Sequence, residues 1–456
     1  MEKGKGETDL RGRSRARISQ CMIVKNEEKD IERALSWGKG IMAEQIVVDT
    51  GSTDRTVEIA EQMGAKVFHF QWIDDFAAAK NFAIEKASYE WIVFLDADEY
   101  FLPEDARKLL YYVRSLHETK FQAMLTGRVN VDNQGNVMAI NTQCRVFRNL
   151  PKLRYKRRIH EFITFLDGRP IQMADAVEEL SMYHTGYGEM ESGKKSGRNL
   201  KLILEEIREN PNDFEMWGYL GQEYECTGDW DEADKAFRKG LQLIPESERS
   251  SYDVATSITA LRLLEVQIHR PNPKEESIME AYHLAKESWP EEADYDYIVG
   301  KYYASCGKFK EGERYLRIAL EVLEKYGTTA KAMLLSGEIK RAYELLAICC
   351  YNNKDMAGCV KFTTLLLKED PYLMNTAMIL IRAFYGDEET MKKGKDGAVE
   401  VAAFLGKSFY DFRSLKDRLF VLRAAMAAGY QELILVMRET FTPEELVAVD
   451  RALGKG

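Results

Sequence analysis

The 456-residue chain has no run of about 18 apolar residues, so no helix long and apolar enough to cross a membrane is expected. Its seven cysteines (Cys21, Cys144, Cys226, Cys306, Cys349, Cys350, Cys359) contain no C-x-x-C pair. Their odd count and mostly apolar surroundings fit reduced core thiols and predict a cytoplasmic protein. An apolar h-region is missing beside Lys3, Lys5, Arg11, Arg13, Arg15 and Arg17. That argues against a secretory signal and predicts a disordered basic arm over residues 1–17. Positive charge is otherwise short: the net charge of −10 argues against a nucleic-acid binder. The absence of a Walker A loop and of G-x-G-x-x-G removes the NTPase and dehydrogenase readings. With 45% hydrophobic and 30% charged residues, the chain has the composition of a soluble globular protein and the length for two or three domains.

The first half has strand–helix alternation. Apolar runs at Ile18–Val24, Gln45–Asp49, Lys66–Phe70 and Trp91–Leu95 are separated by helical patterns, which predicts βαβ units and a parallel sheet. Later strands (Ala123–Val131, Cys144–Phe147, Phe162–Leu166) predict antiparallel additions. The run WIVFLDADEYF stops on Asp96, Asp98 and Glu99. In extended chain Asp96 and Asp98 point the same way, and ligands of open α/β sheets bind beyond the carboxyl ends of the strands. Carboxylates aimed together repel unless a cation lies between them, and Mg²⁺ or Mn²⁺ shared with a phosphate is the common reason. A helix-capping cluster before Pro103 is the plainer alternative. Lys25-Asn26-Glu27, Asp49 with the following Gly-Ser-Thr-Asp, and Lys80-Asn81 converge on the same sheet edge. The set predicts a nucleotide-diphosphate pocket.

From about Lys195 the pattern is helical and repeats. Trp217, Leu220, Gly221, Tyr224, Gly228, Ala233, Phe237 and Pro245 follow the tetratricopeptide spacing; a second copy starts near Val299, and a weaker third near Leu346 has Lys354 where the turn glycine belongs. Such repeats stack and present a concave surface suited to peptide or protein; a dimerisation or purely structural role is the alternative.

CMIVKNEE, VVDTGSTDRT, WIDDFAAAKNFAI and WIVFLDADEY, followed by RVFRN, RIHE and HTGY, resemble in order and spacing the family-2 glycosyltransferases of GT-A fold. The similarity extends to a bacterial subgroup with C-terminal tetratricopeptide repeats, which includes enzymes that glycosylate bacteriocin peptides on cysteine and others that modify flagellin. It implies an α/β GT-A-type domain over residues 18–194 and an all-α repeat domain over 195–456. The implied activity is a metal-dependent inverting transfer from a nucleotide-diphosphate sugar, UDP-Glc or UDP-GlcNAc, to a peptide or protein on the repeats. A lipid or polysaccharide acceptor, or a non-catalytic scaffold, is the alternative. By the same resemblance Val24, Asn26, Glu27, Asp49, Lys80, Asn81, Asp96, Arg145 and His184 bind the nucleotide sugar. Asp98, with Asp96 and His184, holds Mg²⁺ or Mn²⁺, and Glu161 is the base, with His160 next in line. Lys80 stands where the family usually has Arg.

Overall fold

The computed structural model describes residues 16–132, 134–185, 192–245, 254–327 and 332–452; the expected arm lies outside them apart from Ala16 and Arg17. Two compact units divide between Asn212 and Asp213.

The first unit is built on an eight-stranded sheet of order β3-β2-β1-β4-β7-β6-β10-β5. Strands β1 (Ile18–Val24), β2 (Glu44–Asp49), β3 (Lys66–His69) and β4 (Trp91–Phe94) run parallel. Antiparallel pairs follow: β7 (Val137–Arg148) pairs β4 and β6 (Ala123–Val131), while β5 (Glu99–Phe101) pairs β10 (Met173–His184), which runs parallel to β6; the expected strand at Phe162–Leu166 does not join this sheet. The continuous apolar runs are strands covered on both faces. Cys21, Ile46, Val48, Ile92 and Phe94 pack on one side with helix α3 (Phe76–Lys86). Met22, Val24 and Val47 pack on the other with α1 (Ile31–Ser36) and α2 (Thr56–Gln62). All four parallel strands therefore end at one edge, where the chain loops are free to carry polar groups.

A separate antiparallel ribbon, β8 (Leu153–Lys156) with β9 (Phe162–Phe165), lays Tyr155 and Ile163 against the α3 side of the sheet. Its connecting loop, residues 157–161, holds Arg157 and His160 at left-handed φ values of 77° and 51°. Between them the tight turn swings Glu161 to the strand edge. The helix Ser192–Glu209, read from sequence as the head of the helical domain, falls within the first unit. Glu206, itself buried, accepts from the Arg158 backbone N–H at 3.0 Å, and Lys201 Nζ lies 2.6 Å from Asp74 Oδ2. The division therefore comes about eighteen residues after the sequence-based boundary at 194.

The second unit is a succession of antiparallel helical hairpins. Phe214–Thr227 with Trp230–Leu243, Ala293–Ser305 with Phe309–Tyr326, and Ile339–Asn352 with Met356–Glu369 coincide with the three repeats read from sequence. Gly221 shows why the repeat needs its small residue: a Cβ there would come within 2.5 Å of the Phe237 ring. Further helices continue to Ala452.

Candidate active site

A cleft of about 460 Å³ opens at the carboxyl edge of the parallel strands, lined among others by Val24, Glu27, Lys80, Asp96, Asp98, Glu161 and His184. That is seven of the expected residues in one place, within the volume usual for a small-molecule site.

Two charge networks organise it. Lys80, buried on α3 between the rings of Phe94 and Tyr155, reaches Glu161 Oε1 at 2.6 Å and Asp96 Oδ1 at 3.3 Å. Arg145 on β7 reaches the other Asp96 oxygen at 2.7 Å and Glu99 Oε1 at 2.8 Å. Burial alone would neutralise Lys80, but Asp96 and then Glu161 outweigh it and hold the ammonium above its ordinary range. Burial likewise opposes the Asp96 carboxylate, and Arg145 and Lys80 overcome it, keeping that group well below the usual carboxylate range. Both Asp96 oxygens thus face cations. The resemblance makes Asp96 a metal ligand; in this structure the half-exposed Asp96 joins Lys80 and Arg145. Lys80, expected on a diphosphate, is committed to two carboxylates and orients Glu161.

Asp98 differs from its neighbour. Its Oδ2 lies 3.2 Å from His184 Nε2 across the strand ends, and both side chains are partly exposed to the cleft. Nδ1 of His184 lies 2.9 Å from Asn130 Oδ1, a contact satisfied by an N–H at Nδ1. That tautomer leaves a lone pair on Nε2 pointing at the carboxylate, a repulsive pairing unless a cation or proton lies between them. A carboxylate oxygen and an imidazole nitrogen, the latter oriented through its far nitrogen, suit Mn²⁺ or Mg²⁺. Another convergent set, Glu313, Cys350 and Asp355 in the helical unit, already surrounds Arg317, whose guanidinium supplies the positive charge.

Four expected residues brace the cleft without lining it. Asp49 is buried and accepts from the N–H groups of Gly51 (3.2 Å) and Ser52 (3.0 Å). Burial works against this carboxylate, yet the Ser52, His69 and Gly51 contacts keep it below its ordinary value. Asn26, at a left-handed φ of 59°, accepts from Thr53 N–H at 2.8 Å, tying the β1 loop to the β2 loop. Asn81 clamps both backbone groups of Tyr155 at 2.9 Å, fixing the ribbon that carries Glu161. Arg145 acts through Asp96 and Glu99. Sequence reasoning missed Trp72, Phe76, Arg128 and the pair Arg198 and Asn199 in the lining. Trp72 donates from Nε1 to Asp74 at 2.8 Å and meets Phe76 edge-on; its place just before a helix start was the available signal. Arg198 and Asn199 were hidden because their helix was counted with the repeats.

The family model described as Glycosyl transferase family 2 matches residues 19–168. Those residues are a family 2 glycosyltransferase domain. A TPR repeat-containing protein of Synechococcus elongatus is 31% identical over 238 residues, covering 51% of this chain and 58% of that protein. The SPbeta prophage-derived glycosyltransferase SunS of Bacillus subtilis is 29% identical over 229 residues, covering 49% of this chain and 53% of its own. The chain thus spans little more than half the length of these relatives. Among solved structures, residues 1–349 of S. aureus TarS superpose with a TM-score of 0.33 at 14% identity, covering 60% of this chain and 91% of that one. The family 2 match takes in Lys80, Asp96, Asp98, Arg145 and Glu161, whereas His184 and Arg198 lie beyond it.

Proposed function

We propose that the cleft binds a nucleotide-diphosphate sugar, UDP-Glc or UDP-GlcNAc, and that the protein transfers the sugar with inversion to a peptide or protein. The observation that carries this reading is the chain of contacts Glu161–Lys80–Asp96 beside the Asp98–His184 pair, all in one cleft of a family 2 domain. A leaving diphosphate accumulates negative charge, and a divalent cation held by Asp98 and His184 would supply the Lewis acid that stabilises it. Glu161 accepts the acceptor's proton as the nucleophile attacks from behind the leaving group, and no covalent intermediate is needed. Lys80 contributes by holding that carboxylate in place while remaining charged itself. The loop backbone at Val24–Glu27 and Thr50 forms the wall beside Asp49 on which the nucleoside rests.

The peptide acceptor is supported by the repeats, whose stacked hairpins present side chains over an extended surface. Within the helical unit a cleft of about 330 Å³ is lined by the apolar Ile258, Leu261, Met333 and Leu334 beside the charged Arg262 and Glu265, a mixed surface suited to a peptide segment. The test is Glu161→Gln, which keeps size and hydrogen bonding but cannot take a proton. Turnover at saturating donor should fall by about 10²–10⁴-fold, with donor affinity unchanged. Collapse of donor binding with undiminished turnover would make Glu161 a binding residue.

A further inference from the structure

One strand edge stands apart from the cleft and the repeats. β7 is twelve residues long, but β4 pairs only with its Val146–Arg148 end. Among the described residues no strand pairs with the other edge of Val137–Gln143, whose inner edge is taken by β6. Every residue from Val137 to Thr142 is exposed, including Val137 (58%), Met138 (59%) and Ile140 (66%). From residue 133 to 144 the sequence NQGNVMAINTQC has no charge and no proline. The terminal strands of the sheet are blunted by contrast: β3 is four residues long and starts on Lys66, and β5 is three. Native sheets protect open edges with shortness, lysine, proline or bulges; this free segment is long and has no lysine or proline, and its one register irregularity, at Met138, lies near its start.

We propose that Val137–Gln143 pairs antiparallel with the same segment of a second copy, joining the two sheets across a two-fold axis near Ile140. An antiparallel pair of identical strands satisfies two-fold symmetry, and it uses up the open edge on both chains, so growth stops at the dimer. Antiparallel pairing about Ile140 sets Met138 opposite Thr142 and Val137 opposite Gln143, and the absence of charge leaves no like-charge repulsion across the seam. Ile140 is the centre of the free segment, so symmetric pairing sets it opposite itself with the apolar Met138 and Val137 close by. No cleft residue takes part, so the dimer does not depend on the transferase reading.

The experiment is sedimentation velocity on the full chain over a wide dilution series, comparing wild type with the double variant Met138→Lys, Ile140→Lys. The wild type is expected to dimerise on concentration and the double variant to stay monomeric at every concentration, with equal melting temperatures at dilutions where both are monomeric, because both side chains are solvent-facing in the single chain. A second variant, Ile140→Cys with the exposed Cys226 and Cys306 changed to Ser, should cross-link to a dimer under a mild thiol oxidant such as diamide. Val137→Cys in the same background should cross-link much less, since its mate lies away from the axis. A wild type monomeric throughout, a dimer indifferent to the two lysines, or equal cross-linking at 137 and 140 overturns the proposal.

Discussion

His160 sits beside the proposed base at a left-handed backbone position. Burial, partly opposed by Glu161 and reinforced by Arg157, pulls its pKa down to about 4. The unfolded chain has the ordinary histidine value near 6.5, so as pH falls the unfolded state takes the proton first. The stability this site contributes is present above about pH 6.5 and is lost as pH drops through the folded value of about 4. The full swing is about 3 kcal/mol. His160→Asn tolerates positive φ and carries no titration. Urea unfolding of this variant should show a flatter loss of stability between pH 6.5 and 4 than wild type; parallel curves would remove His160 from the acid response. The same residue shows what sequence could and could not convey. RIHE marked the place, and Glu161 and Asp98 were legible from motif order. Which carboxylate meets which cation was not, because Asp96 and Asp98 look alike in extended chain. Only the arrival of Arg145 from β7 and Lys80 from α3 separates them.

At the scale of elements, period and composition carried most of the information. The four parallel strands lie where continuous apolar runs predicted them, and the three helical hairpins lie where the repeat spacing put them. Departures occur where tertiary partners decide. The helix Ser192–Glu209 carries an amphipathic pattern like the helices after it, so sequence assigned it to them, yet Glu206 and Lys201 bind loops of the first unit. The short strand Glu99–Phe101 is fixed only by pairing with β10. Lys354 gives a prediction from the repeat itself. Gly228 and Gly307 take the turn at φ values of 76° and 73°, and Lys354 is held at 67° in the corresponding third turn. A side chain in that region costs about 1–2 kcal/mol, partly offset by the extra freedom glycine has when unfolded. Lys354→Gly should therefore stabilise the chain by about 1 kcal/mol, read as a higher denaturant midpoint at constant m-value. A lowered midpoint would mean the lysine makes a compensating contact.

On the scale of the whole molecule, donor chemistry and acceptor recognition are proposed to reside in different units. A fragment of residues 1–212 retains the helix that braces the Arg158 loop, and it is expected to bind donor like the full chain while losing transfer to the protein acceptor. Cutting at 190 instead removes the helix that holds the Arg158 loop through Glu206 and Asp74 through Lys201, so the shorter piece should melt lower. If residues 1–212 modify the acceptor as fast as full-length protein, the repeats are not its platform. The most direct measurement is release of nucleoside diphosphate from a panel of nucleotide sugars by the full chain with Mn²⁺ or Mg²⁺, beside EDTA and beside Asp98→Ala. The expected result is release from a UDP-sugar that is abolished by EDTA and by Asp98→Ala, with the variant still folded. Release at the full rate in EDTA, or by Asp98→Ala, would contradict the cation site, and a folded protein that neither binds nor cleaves any nucleotide sugar would contradict the transferase reading itself.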